Sequence, residues 1–220
     1  MNKPFGNDDP RIAEHVGRTF APGDDVLKDV CARQESAGMP DIQVAALDGL
    51  HLEVIARAIG ARRVVEIGTL GGYSGVCLLR GMVPGGVLHT FELDPKHAEV
   101  ARETFRRAGV EARVRIHVGE AATLLARIEG EGPFDLVFID ADKQGYPAYL
   151  DWAARNLRTG GVVLGDNAFL FGEIVAPARP GREAVHAAML AFHDRLAHGG
   201  EFKATILPTG EGLAMGVKLG

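Results

Sequence analysis

Seven residues stand where apolar runs of this chain end: Glu66, Glu92, Asp140, Asp142, Lys143, Asp166 and Asn167. Their types and spacing bound the chemistry open to it. Glu66 sits inside the end of Val64-Val65-Glu66-Ile67, where a charge is expensive unless a ligand or hydrogen bonds use it. The run breaks into Gly68-Thr69-Leu70-Gly71-Gly72-Tyr73-Ser74, a glycine turn that opens a helix. Glu92 closes the next run, Val87-Leu88-His89-Thr90-Phe91, and lies 20 residues after Gly72. In a strand–helix–strand unit that spacing puts the carboxylate beside the turn, where it can accept hydrogen bonds from two ribose hydroxyls. The glycines do not form G-x-G-x-x-G, and no lysine follows to grip a phosphate. The turn suits a nucleoside without a pyrophosphate, which points to S-adenosylmethionine (SAM).

A second group follows at two later strand ends, Phe138-Ile139-Asp140-Ala141-Asp142-Lys143 and Leu164-Gly165-Asp166-Asn167. Asp140, Asp166 and Asn167 are candidates to meet at one rim. Two carboxylates and an amide oxygen are hard ligands, suited to Mg²⁺ or Ca²⁺ rather than zinc. Lys143, three residues after Asp140, can reach the same space. Singly, each reads first as a cap or turn former; together, beside a nucleoside turn, they read as a site. The histidines offer less. His186 and His193 share a helix face but have no third ligand near in sequence, and H-E-x-x-H is absent. G-x-S-x-G is absent too, which argues against Ser74 as a hydrolase nucleophile.

Positioning these residues requires a wound sheet. The spacing predicts strands at Val64–Ile67, Val87–Glu92, Val114–Val118, Leu136–Ile139 and Val162–Leu164. Helices are expected at about Ser74–Gly81, Pro95–Ala108, Ala121–Ile128 and Tyr146–Leu157. Such alternation is the mark of a parallel sheet with helices on both faces. The pattern then changes to a helix at about Arg182–His198 and runs Phe202–Leu207 and Leu213–Lys218, joined by the turn Pro208-Thr209-Gly210-Glu211-Gly212. The sheet should therefore end antiparallel. Before it, Asp24 can cap a helix through Val26, Leu27, Val30 and Cys31 that ends at Gly38-Met39-Pro40. Another helix is expected from Gln43 to Ile59, with Leu47, Leu50, Val54, Ile55 and Ala58 at helical spacing. No repeat or linker divides the chain. The reading is one domain over 1–220, with 1–60 a helical cover and 61–220 the sheet core.

Composition narrows the function. A net charge of −5 argues against a nucleic-acid partner, which would need a basic face. The arginines of Arg102–Arg107 and Arg113–Arg115 alternate with acids and apolar residues, as solvated faces do. Two cysteines, Cys31 and Cys77, make no disulfide framework, and a reducing cytoplasm is expected. No 18-residue apolar stretch exists, so no membrane span is expected. Met1–Arg11 holds charges and prolines but no apolar signal core.

On these residues the chain resembles the metal-dependent class I O-methyltransferases that include catechol and caffeoyl-CoA O-methyltransferases. The carriers are Glu66-Ile67-Gly68-Thr69-Leu70-Gly71-Gly72-Tyr73-Ser74, Phe91-Glu92-Leu93-Asp94, Gly119-Glu120-Ala121, Asp140-Ala141-Asp142-Lys143 and Gly165-Asp166-Asn167. The resemblance runs from about Gln43 to Lys218, and Asp-Ala-Asp-Lys is similar to the plant and bacterial branch. It implies a doubly wound, seven-stranded, mostly parallel α/β sheet, Rossmann-like, with N-terminal helices. It also implies a bound divalent ion and a homodimer. Glu66 and the Gly68–Thr69 backbone would take the cofactor's amino-acid end, with Ser74 close by. Glu92 would hold the ribose, Ala121 would lie at the adenine, and Val44 would close over the cofactor. Asp140 and Asp142 would also face SAM. Asp140, Asp166 and Asn167 would bind Mg²⁺, or another divalent ion such as Ca²⁺ or Mn²⁺. Lys143 would act as base on a small aromatic acceptor with vicinal hydroxyls.

The chain departs from the plant pattern in two places. Arg182-Glu183-Ala184-Val185-His186-Ala187-Ala188-Met189 lacks the aromatic and basic residues found there in enzymes for acyl-CoA esters. Phe169-Leu170-Phe171 replaces a tryptophan common after the metal Asp-Asn. Free acids, aldehydes or flavonoids are thus expected acceptors before acyl-CoA esters. Three other readings compete. A nicotinamide-dependent dehydrogenase leaves Asp140, Asp166 and Asn167 without a purpose. A non-catalytic SAM-binding protein would tolerate loss of base and ligands, yet all are present. A nitrogen or RNA methyltransferase is disfavoured by the acidic balance and the missing Pro-Pro-aromatic motif.

Overall fold

The computed structural model describes residues 6, 9–20 and 24–220. Much of the Met1–Arg11 reading lies outside them. The helices are α1 (Pro10–Phe20), α2 (Asp25–Ser36), α3 (Ala46–Ala58), α4 (Tyr73–Gly81), α5 (Pro95–Arg107), α6 (Ala121–Leu124), α7 (Tyr146–Asn156) and α8 (Glu183–His198). The strands are β1 (Arg63–Ile67), β2 (Val87–Glu92), β3 (Val114–Val118), β4 (Phe134–Ile139), β5 (Leu157–Gly165), β6 (Phe202–Leu207) and β7 (Leu213–Lys218). They form one seven-stranded sheet in the order β3-β2-β1-β4-β5-β7-β6. The first five strands pair in parallel, and β7 pairs antiparallel with both β5 and β6.

Each central strand is apolar on both faces because helices cover both sides of the sheet. Val65, Ile67, Val137 and Ile139 pack in the core shared with α7 and α8. Val64, Leu136 and Phe138 pack in the opposite core with residues of α2, α3 and α4. The chain order reverses between β1 and β4, which leaves a crevice beyond their carboxyl ends. Pairing sets the ends of four strands level: Ile67 lies opposite Phe91 and Ile139, and Ile139 opposite Gly165. The row continues one residue past the strands. Gly68 N–H donates to Phe91 O (3.0 Å), Asp140 N–H to Ile67 O (2.8 Å) and Asp166 N–H to Ile139 O (3.0 Å). Register alone therefore brings Gly68, Glu92, Asp140 and Asp166 to one rim.

Several expectations need correction. Helix α3 begins at Ala46, not Gln43, because Gln43 spends its amide on Asp41 and Gln34. Its buried face is Gly49, Leu52 and Ala56, and Val54 is exposed. The missing side chain of Gly49 decides this, since a Cβ there would press on Cys77 Sγ and the Tyr73 ring. The helix expected to reach Ile128 ends at Leu124 and continues as a 3₁₀ turn, Leu125–Glu131. Three residues per turn put Leu125 and Ile128 on one side, and both are buried. Strand β5 starts at Leu157, five residues before Val162, where α7 had been expected to end. Helix α1 falls within the expected helical cover, where the sequence pattern assigned it no bounds of its own. Cys31 and Cys77 are free thiols, and Cys77 is buried. No helix among the described residues is long and apolar enough to cross a membrane.

Candidate functional site

A cavity of about 1290 Å³ opens over the strand-end row. Its walls include Val44, Gly68, Thr69, Ser74, Glu92, Ala121, Asp140, Asp142, Lys143, Asp166 and Asn167. Thus all but one of the sequence-derived residues meet there. The exception is Glu66, which is fully buried behind the wall. Its carboxyl accepts from Ser74 Oγ (2.6 Å) and Thr90 Oγ1 (2.6 Å), and Thr90 Oγ1 lies 2.5 Å from Thr69 Oγ1. Burial, opposed by those two hydroxyls, pushes Glu66 up to about 7. Glu66 therefore braces the glycine turn from beneath. The turn itself requires Gly68, whose φ is +101° and where a Cβ would collide with the Asp140 carbonyl. Gly72, at φ +90°, then starts α4.

Glu92 closes β2 and faces the same turn. Its Oε2 accepts from the backbone N–H of Leu70 (2.8 Å) and Thr69 (3.3 Å), and its Oε1 from that of Asp94 (3.0 Å). His97, in the first turn of α5, places Nδ1 3.6 Å from Glu92 Oε1 and also lines the cavity. Sequence reasoning missed His97; its spacing of five from Glu92 was the available signal. A nearly buried carboxylate beside a backbone turn is well placed to accept hydroxyl protons from a sugar.

On the other side of the crevice Asp140 and Asp166 end adjacent strands. Burial raises Asp166 well above the ordinary carboxylate range, and the neighbouring Asp140 charge adds to the rise. Lys143 Nζ, 3.2 Å from Asp140 Oδ1, is a single positive charge beside the two carboxylates. No group of three His, Cys, Asp or Glu among the described residues is arranged to hold a metal. Asn167, next to Asp166 at φ +54° and also lining the cavity, adds an amide oxygen to the two carboxylates. The residues fit a hard divalent cation on that chemistry.

Lys143 lies at the same rim. Its Nζ donates to Asp140 Oδ1 (3.2 Å) and to the Tyr146 hydroxyl (2.6 Å), and the Asp166 carbonyl is 3.5 Å away. Tyr146 is fully buried, with its hydroxyl proton directed between the carbonyls of Ile139 (3.0 Å) and Asp166 (2.9 Å). It is a rigid post under the amine that sequence reading did not identify. Asp142 is engaged locally: Tyr149 donates to Oδ1 (2.7 Å) and Gly145 N–H to Oδ2 (2.8 Å). His186 and His193 lie on α8 and do not line this cavity.

Comparison with known proteins places this geometry in context. The model of the O-methyltransferase family matches residues 20–219. A catechol O-methyltransferase of Mycobacterium tuberculosis is 47% identical over 167 residues, 76% of each chain. One from Niastella koreensis is 38% identical over 176 residues, 79% of this chain and 78% of the relative. Among solved structures, an O-methyltransferase from Bacillus cereus in complex with SAH superposes with a TM-score of 0.88 at 35% identity, covering 94% of this chain and 97% of the other.

Proposed function

Because this chain belongs to the O-methyltransferase family and is a SAM-dependent O-methyltransferase, we propose that it methylates one hydroxyl of a small aromatic with vicinal hydroxyls, using a divalent cation held by Asp140, Asp166 and Asn167. The observation that carries this reading is the level row of strand ends, which puts Glu92, Asp140, Asp166 and Lys143 around one cavity. The relatives named catechol O-methyltransferases support the acceptor class.

In this reading Glu92 accepts the ribose hydroxyls and Ala121 lies at the adenine. The Gly68–Thr69 backbone and Ser74, braced by Glu66, hold the amino-acid end. Val44 closes over the cofactor, and Asp140 and Asp142 flank it. Asp140, Asp166 and Asn167 would hold Mg²⁺, or another divalent ion such as Ca²⁺ or Mn²⁺, whose Lewis acidity would favour the ionised form of a phenol. Lys143 Nζ, at the same rim, is the group that takes the phenol's proton. The phenolate oxygen then forms a bond to the SAM methyl carbon as the sulfur–methyl bond breaks, leaving S-adenosylhomocysteine. The wall aligns the two reactants and keeps water out. The single domain over 1–220 acts in the cytoplasm, where Cys31 and Cys77 stay reduced, and assembles as a homodimer.

Two measurements bear on this. Glu92→Ala should weaken SAM binding by about 1–3 kcal/mol, the scale for a lost charged hydrogen-bond partner. Unchanged affinity by calorimetric titration, in a folded variant, removes Glu92 from the ribose site. For the acceptor, caffeate and 3,4-dihydroxybenzaldehyde should be turned over in preference to caffeoyl-CoA. Arg182, the one strong base in Arg182–Met189, is bonded to the buried Glu173 (2.9 Å), which also pairs with Arg179 (3.3 Å). Neither arginine lines the cavity, so neither is placed to grip a CoA phosphate there. A strong preference for the thioester at equal concentrations overturns the acceptor reading.

A further inference from the structure

The loop that leaves β5 is strained. Asn167, Leu170 and Phe171 have φ of +54°, +50° and +56°, and Gly172 follows at +80°. Left-handed backbone is costly for a non-glycine residue, because its Cβ crowds the following carbonyl oxygen. Such a run persists only where surrounding contacts over-determine it. Leu170 is fully buried and anchors the loop from below. Phe171 is 62% exposed yet lines the cavity, so packing does little to fix its ring.

Turn bonds within the loop hold it locally (Leu170 N–H to Asn167 O and Gly172 N–H to Phe169 O, each 2.9 Å), and further support comes from the far end of the chain. The tip of the β6–β7 hairpin lies against this loop. Ala168 N–H donates to Gly212 O (2.9 Å) and Phe169 N–H to Glu211 O (2.9 Å). The third bond is from a side chain: Phe171 N–H donates to Glu211 Oε2 (2.9 Å). Gly212, at φ +75°, lets the hairpin sit against the Phe169 ring, which a Cβ there would meet at 2.9 Å. Phe169 and Phe171, on the same loop as Asn167, and Glu211, on the hairpin, all line the cavity.

We propose that Glu211 is a positioning residue for the acceptor: its carboxylate pins the strained Phe171 amide and thereby fixes the aromatic wall against which the acceptor ring rests. The two backbone bonds survive any side-chain change, whereas the Phe171 bond depends on the Glu211 carboxylate. The hydrogen bond, not the charge, is what the geometry uses. Gln at 211 retains a carbonyl oxygen that can accept it, and Ala does not.

The inference rests on the acceptor reading above, and two readouts separate them. In amide hydrogen exchange, Glu211→Ala should lose protection at Phe171, and Glu211→Gln should retain it. In steady-state kinetics with catechol, Glu211→Ala should raise the acceptor KM roughly tenfold, the scale of one hydrogen bond to a charged group. Its kcat should stay within about threefold and its SAM affinity within about twofold, and Glu211→Gln should restore the KM. Phe171→Ala should raise KM similarly, and the double variant should be no worse than either single one. Unchanged protection at Phe171, an unchanged acceptor KM, or equal losses in SAM and acceptor binding would each overturn the proposal. So would a Glu211→Gln variant as impaired as Glu211→Ala. Wild-type protein inactive on every catechol would refute the acceptor reading instead, and the exchange experiment would still decide whether Glu211 holds the loop.

Discussion

Stripping divalent cations with a chelator should abolish methyl transfer, and Mg²⁺ should restore it. Asp166→Ala should do the same without rescue, by roughly 10³-fold or more, because Lewis-acid stabilisation amounts to several kcal/mol and each 1.4 kcal/mol is tenfold. The fold should survive. Asp166 sits at the end of β5 beside Asp140, and burial together with that like charge already disfavours its ionised form. Replacing it removes a crowded carboxylate and leaves its backbone bond to Ile139 in place. SAM affinity should also survive, since Glu92 and the glycine turn lie across the crevice at β1 and β2. Circular dichroism and calorimetric titration check both. Full turnover in excess chelator would sink the metal-dependent reading and leave a metal-free methyltransferase.

Lys143→Met should lower turnover by roughly 10²–10⁴-fold, the usual scale for losing a general base. SAM affinity should hardly change. Lys143 Nζ sits between Asp140 and the Tyr146 hydroxyl, at the β4 end of the rim. The competing role is a fixed positive charge that only pairs with Asp140. Lys143→Arg separates the two, because a guanidinium keeps the charge but does not release its proton in a protein. Arginine should fail to rescue. Recovery of most of the turnover in Lys143→Arg would make the residue an electrostatic anchor and remove it as the base.

The strand ends were legible in the sequence because their signals are local. An apolar run that stops at Glu92, Asp140 or Asp166 declares both the strand and its polar terminus. The wound order then places those termini on one side of the sheet. The glycine turn was equally local, since Gly68 and Gly72 are demanded by the backbone itself. Helix faces were less legible. The α3 stripe was misread because its buried side is set by Gly49 against Cys77, a contact no periodicity reports.

By itself, then, the sequence determined the sheet, the rim residues and the class of chemistry, since each follows from short-range pattern and the register of buried strands. The tertiary structure alone decided which of those residues face the cavity and what holds them. It put Glu66 behind the wall on Ser74 and Thr90, set the Tyr146 hydroxyl on the Asp166 carbonyl 20 residues away, and brought Glu211 to an amide 40 residues away. Such pairings join positions with no common local pattern. They are chosen by the packing of whole elements, which brings distant polar groups within hydrogen-bond reach and makes leaving them unpaired costly.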